Sequence, residues 1–148
     1  MIDDLDKSIL KEYQKDATQT YRKLAEKLGE PASTVFSRIK QMKDSGVITS
    51  IIPLVSPRAV GKATTAWIKI DLDIDTDCCD FAEEVARNKN TMEVYEISGE
   101  WDILIKVKVE DNLELHDLTK EISKIPGIRN MESLIAFKTI KEDPRIVL

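Results

Sequence analysis

Three groups of side chains could do chemistry. The first is Ser98-Gly99-Glu100-Trp101-Asp102, set between two runs that alternate apolar and polar residues; it is either the turn of a hairpin or a place where a small molecule docks. The second is basic: between Tyr21 and Lys43, Arg22, Lys23, Lys27, Arg38, Lys40 and Lys43 face only Glu26 and Glu30. Charge runs are usually solvated helix faces, but a basic cluster is also the electrostatic signature of a nucleic-acid contact. The third comprises the groups that catalysis would need. His116, the single imidazole, stands one turn into an amphipathic segment and reads as a solvent-side residue rather than a general base. Cys78 and Cys79 are adjacent, a spacing that strains a disulfide, and the one histidine lies far from both, so a zinc site lacks its ligands. Asp3-Asp4, Asp71/Asp73/Asp75 and Glu83-Glu84 read as a helix cap, a strand's polar face and a helix surface. There is no phosphate loop, zinc-protease helix or nucleophile elbow. No enzyme, metal or cofactor is expected.

The elements that must position these groups follow from pattern. The chain of 148 residues is 33% charged and 42% apolar, the balance of an ordinary folded protein. No apolar run approaches the ~20 residues that span a bilayer. The start, MIDDLDKSIL, is acidic where a signal peptide is basic, so a cytoplasmic protein without a membrane partner is expected. The net charge of −5 is uneven: +2 through Ala59 and −7 from Val60 onward.

Leu5, Ile9, Leu10 and Tyr13 predict a first helix with carboxylates at its positive end. Leu24, Ala25 and Leu28 mark a second, capped by Thr20 and stopped at Gly29. A third begins near Pro31, buries Val35, Ile39 and Met42, and ends at Gly46. Two short helices joined at a glycine are the ingredients of a helix-turn-helix. Ser33, Thr34, Ser37, Arg38, Lys40 and Gln41 then lie mostly away from the buried stripe, able to reach base edges or phosphates, with Arg22 and Lys23 set against a phosphate strand. Arg38 is either a bidentate base contact or a phosphate contact.

Pro53 confines VITSIIPLVSP to an edge strand or an extended linker. Ala66, Ile68, Ile70, Leu72 and Ile74 alternate on one strand face. Cys78, Phe81, Ala82 and Val85 predict a helix. MEVYEIS and WDILIKVKV are two strands, the second with Trp101, Ile103, Ile105, Val107 and Val109 on one face. Asp111 with Glu114 forms a capping box for a helix burying Leu115, Leu118, Ile122 and Ile125, and MESLIAFKTIK is the last strand. The order βαββαβ is ferredoxin-like, giving an α+β chain: a winged or helix-turn-helix three-helix domain at 1–50, a β linker at 51–62 and a ferredoxin-like domain at 63–148. The sheet face away from the helices carries Trp67 and Leu134, with Leu104, Ala136 and Ile140 also opposite the main stripes, a reason to dimerise face to face.

This arrangement, over essentially the whole chain, resembles the Lrp/AsnC (feast/famine) family of transcription regulators. The matching positions are Ile2-Asp3, Asp6, Ile9-Leu10, Asp16, Leu24-Ala25, Gly29, Val35, Arg38-Ile39 and Gly46-Val47-Ile48, then Val94, Gly99, Asp102 and Pro126-Gly127. The chain departs from the pattern at Glu30-Pro31, where the family has an apolar residue and a serine cap, and at Thr18, where it often has arginine. The resemblance implies a regulator of double-stranded DNA whose C-terminal domain binds an amino acid or related metabolite between dimers. It implies a homodimer that assembles into a tetramer or octamer. It places Gly99 and Asp102 in the effector site, with Ser98, Glu100 and Trp101 as neighbours and Ser133 as a further candidate. The competing readings are a metabolite-sensing module acting on protein partners and an enzyme; the basic cluster favours DNA.

Overall fold

A computed structural model describes residues 2–148. The chain divides into two compact units, Met1–Leu54 with Glu142–Leu148, and Val55–Lys141.

The first unit holds α1 (Asp4–Tyr13), α2 (Tyr21–Leu28) and α3 (Ala32–Asp44). Each boundary has a local cause. Asp3 caps α1, accepting from Asp6 N–H at 2.9 Å while its own N–H donates to the Asp6 carboxylate at 3.1 Å. This is a capping box written with two aspartates instead of the usual Ser/Thr and Glu/Gln. Thr20 caps α2 through Lys23 N–H, and Gly29 ends it with φ +71°, a left-handed conformation that glycine takes freely. Pro31 takes the N-cap position of α3 with no side-chain cap. Ile9, Leu24, Val35 and Ile39 are completely or almost completely buried, and Leu10, Tyr13, Ala25 and Met42 close the core around them. Burial of one such aliphatic side chain contributes roughly 1.5–3 kcal/mol, which is how three short helices are held without a sheet. Val47–Ser56 contains neither helix nor strand, so the edge strand offered as one alternative for this stretch does not form.

In the second unit, a single 3-10 turn (Arg58–Val60) precedes β1 (Thr64–Leu72), α4 (Cys78–Ala86), β2 (Thr91–Glu96), β3 (Ile103–Val109), α5 (Asn112–Ile122) and β4 (Ile128–Ile135). The antiparallel sheet has the order β2-β3-β1-β4, the ferredoxin-like arrangement. Ile68 lies opposite Ile105 on one side and Ser133 on the other. Ala66, Ile68, Ile70, Leu72, Ile103, Ile105, Val107 and Val109 form one buried face, covered by Phe81 and Val85 of α4 and by Leu115, Leu118 and Ile122 of α5. On the opposite face stand half-buried Trp67 and Leu104 with exposed Tyr95 and Leu134. Ion pairs Lys69–Glu132 (2.7 Å) and Lys106–Glu93 (3.1 Å) cross it.

Three expectations are corrected. Ile74 is 96% exposed, because β1 ends at Leu72 and its alternation stops there. Trp101 precedes β3, so it does not share the stripe of Ile103 and instead lays its ring 4.5 Å from the Lys69 ammonium. Asp111 caps α5 through Leu113 and Glu114 N–H, but the Glu114 carboxylate returns to Glu110 N–H rather than to Asp111. The Lys62 ammonium, at 2.6 Å, and the Asn90 amide draw it one residue upstream. By spatial contact, residues 142–148 group with the helical unit.

Candidate DNA interface and effector turn

The basic cluster divides: Lys27 and Arg38 turn to acids of α1, while Arg22, Lys23 and Lys40 stay exposed. With Val35, Ile39 and Met42 turned inward, the 100° step of the helix leaves Ser33, Ser37, Lys40 and Gln41 exposed and Thr34 half-buried. Ser37, Lys40, Gln41, Asp44 and Ser45 line a shallow open depression there. Because Pro31 supplies no side-chain cap, the positive end of α3 stands open beside Ser33 and Thr34, a ready position for a phosphate oxygen. Arg22 and Lys23 are exposed in the first turn of α2; Arg22 leans on Glu26 at 3.3 Å, both side chains in solvent, a pair too weakly held to withhold the guanidinium.

Arg38 has partners within the fold. Its guanidinium donates to Asp3 at 2.7 Å and to both oxygens of the buried Asp6 at 3.3 and 3.4 Å. Hydrogen bonding to Asp6 N–H, and secondarily this guanidinium, hold the Asp3 carboxyl below the usual carboxylate range. In the DNA-free chain Arg38 thus bolts α3 to the capping box of α1, with about a third of its side chain still open to solvent. Sequence reasoning missed Phe36, which is half exposed on the flank between α2 and the polar face and meets the Tyr21 ring edge-on at 5.4 Å. An apolar residue off the buried stripe was the signal that could have found it.

At the other site, Ile97 N–H donates to the Asp102 carbonyl at 2.8 Å, and Asp102 N–H donates to the Ile70 carbonyl at 3.0 Å. This closes the turn against the end of β1. Gly99 has φ +122° with open space where a Cβ would stand, so backbone conformation, not crowding, demands glycine. Ser98, Gly99 and Glu100 are exposed, and Asp102 is half-buried. The Asp102 carboxylate accepts from Leu72 N–H at 2.7 Å, where the β1–β3 ladder has ended and β1 is bulged against β4. One oxygen of the expected ligand acid is therefore spent on the sheet.

Three residues gather beside it, a proximity that pattern reading did not reveal. Asp71 holds Arg129 through two hydrogen bonds, one of 2.8 Å from Nε, and this guanidinium keeps the Asp71 carboxyl low. At the start of α4, burial pushes the Cys78 thiol up, helped by the charges of Glu96 and Asp102, so it is a neutral thiol and a poor nucleophile. Ser133 pairs with Ile68 in the β1–β4 ladder, and among the described residues no hydrogen bond joins it to the turn. His116 is exposed. Among the described residues no three His, Cys, Asp or Glu are placed to hold a metal ion, and no helix is long and apolar enough to cross a membrane.

A three-helix unit with a basic, polar helix face, followed by a ferredoxin-like unit with a charged turn at its sheet end, defines a DNA-binding regulator with a ligand-binding domain. Comparison with known proteins agrees. Residues 2–49 match the model of a winged helix-turn-helix DNA-binding domain and residues 65–146 that of the Lrp/AsnC ligand binding domain. The HTH-type transcriptional regulator FL11 of Pyrococcus abyssi is 32% identical over 141 residues, 95% of this chain and 93% of that one. The crystal structure of an AsnC family transcriptional regulator from Agrobacterium tumefaciens superposes with TM-score 0.93 at 28% identity, covering 99% of this chain and 97% of that one. The regulator NMB0573 of Neisseria meningitidis, solved as an L-Met complex, shares the fold with TM-score 0.91 at 23% identity over 99% and 97% of the two chains. This chain belongs to the Lrp/AsnC family of transcription regulators, a family of regulators and not of enzymes.

Proposed function

We propose that this chain reads operator half-sites with Ser33, Thr34, Ser37, Lys40 and Gln41, anchors to phosphate with Arg22 and Lys23, and responds to an amino acid bound at the Gly99–Asp102 turn. The observation that carries the DNA reading is the uncapped, exposed N-terminal half of α3 beside the basic start of α2. Two such units in a homodimer address half-sites about one helical turn, ~34 Å, apart. The half-apolar sheet face with Trp67, Leu104 and Leu134 supports pairing of two copies, and tetramers or octamers follow if the effector site lies between dimers. An amino acid suits a turn where glycine bares backbone N–H groups beside a carboxylate. The L-Met bound by the Neisseria regulator supports the same ligand class.

Anisotropy titrations of the chain's own upstream DNA against salt test the first half. Lys40→Ala is expected to weaken every sequence alike and to reduce the salt slope by about one. Absence of salt-sensitive specific binding, with a metabolite still bound, would instead make the chain a module acting on protein partners. A thermal-shift screen of the twenty amino acids tests the second half, since a ligand at 100 times its Kd stabilises by about 2.7 kcal/mol.

Asp102→Asn separates charge from structure, because the amide oxygen can still accept from Leu72 N–H. The variant should keep the ligand-free melting temperature while losing the ligand-induced shift. A shift as large as wild type's in this variant means the turn does not hold the ammonium group.

A further inference from the structure

We propose that the end of α1 is a docking site for the chain's own C-terminal segment, so that the helix-turn-helix unit is held by two tethers. One tether is the linker that leaves the unit at Leu54, and the other is the strap that re-enters it at Glu142. The occupant is seated in the structure. Gln14, the C-cap of α1, donates its side-chain amide to the Ile146 carbonyl at 3.0 Å and accepts from Ile146 N–H at 2.9 Å. A primary amide thus satisfies both backbone groups of one residue, as a neighbouring strand would, which is recognition of an extended backbone rather than of a side chain.

The segment is prepared for this. Residues 136–148 carry no helix or strand, yet the Asp143 carboxylate accepts from Arg145 N–H at 3.1 Å and from the Arg145 guanidinium at 2.8 Å twice, with Pro144 fixing the chain between them. The docking is also weak enough to release. Ile146 and Val147 are mostly exposed, and the two Gln14 bonds lie at the surface. Removing them is expected to shift the docking equilibrium by about five- to a hundredfold. The segment follows β4 through residues 136–141, so an undocked strap leaves the helical unit joined by its linker alone.

The full chain, Gln14→Ala and a chain ending at Lys141 test this. Amide exchange at Ile146 in the full chain should quicken about fivefold or more in Gln14→Ala, and equal exchange overturns the docking site. The second measurement rests on the DNA-binding reading: affinity for paired half-sites is compared between the preferred spacing and one lengthened by half a helical turn. The wild-type chain should discriminate by about tenfold, and both variants by less than about threefold. An unchanged spacing penalty in both variants overturns the tether. Failure of the wild-type chain to bind any DNA specifically is a failure of the DNA reading instead, and amide exchange then decides the docking alone.

Discussion

Gly127→Ala is expected to lower the stability of the ferredoxin-like unit by about 2–4 kcal/mol, read as a fall in the urea midpoint without a change in slope. Two effects add. Gly127 sits at φ +94°, where an L-residue costs about 1–2 kcal/mol. A Cβ there would stand 2.2 Å from Thr76 Oγ1 and 2.7 Å from its Cγ2. The two residues cannot simply part, because Asp73 N–H, at 2.8 Å, and the Thr76 hydroxyl both donate to the Gly127 carbonyl, stitching the β1–α4 connection to the start of β4. Thr76→Ala removes the two closest atoms and leaves only the Cβ at 3.0 Å, so Gly127→Ala made in that background should cost little beyond the backbone part. A double-mutant cycle should therefore show a coupling of about 1–2 kcal/mol. Additive effects would sink the steric half of the account.

Arg38→Ala is expected to destabilise the helical unit by about 1–2 kcal/mol and to weaken DNA binding in proportion, because it removes the bolt between α1 and α3. The estimate is kept low because the guanidinium is 35% exposed, while Asp6, at 8%, keeps only the Asp3 N–H as compensation. The diagnostic is the salt dependence. Were Arg38 bound to a DNA phosphate, its removal would flatten the slope by about one, whereas removing a bolt leaves the slope unchanged and the affinity recoverable on cooling. Thermal melts and titrations on the same variant decide between the two.

Local rules explain what was readable. Thr20, Gly29, Asp111 and the alternation from Ala66 to Leu72 act within a few residues, so the elements and the ferredoxin-like order could be read from the chain in one pass. What pattern could not deliver lies in contacts made across the fold. Arg38 meets Asp3 and Asp6 from more than thirty residues away, a pairing that no local spacing reveals. Asp102 was legible as the acid of the turn, yet its bond to Leu72 N–H depends on where the β1–β3 ladder stops. Asp71, Arg129 and Cys78 gather at the same sheet end by strand register, and no spacing in the sequence announces it.

The pairing of Gln14 with Ile146 also bears on the order in which the protein is made. The three helices are complete once Asp44 has emerged, and their packing is local, so they can fold while the ferredoxin-like unit is still being synthesised. Their last partner, however, lies close to the C-terminus and follows β4, which pairs with β1 across more than fifty residues of sequence. The helices that can pack first thus make one contact that forms only after β4 has emerged, and a chain cut after Lys141 lacks it.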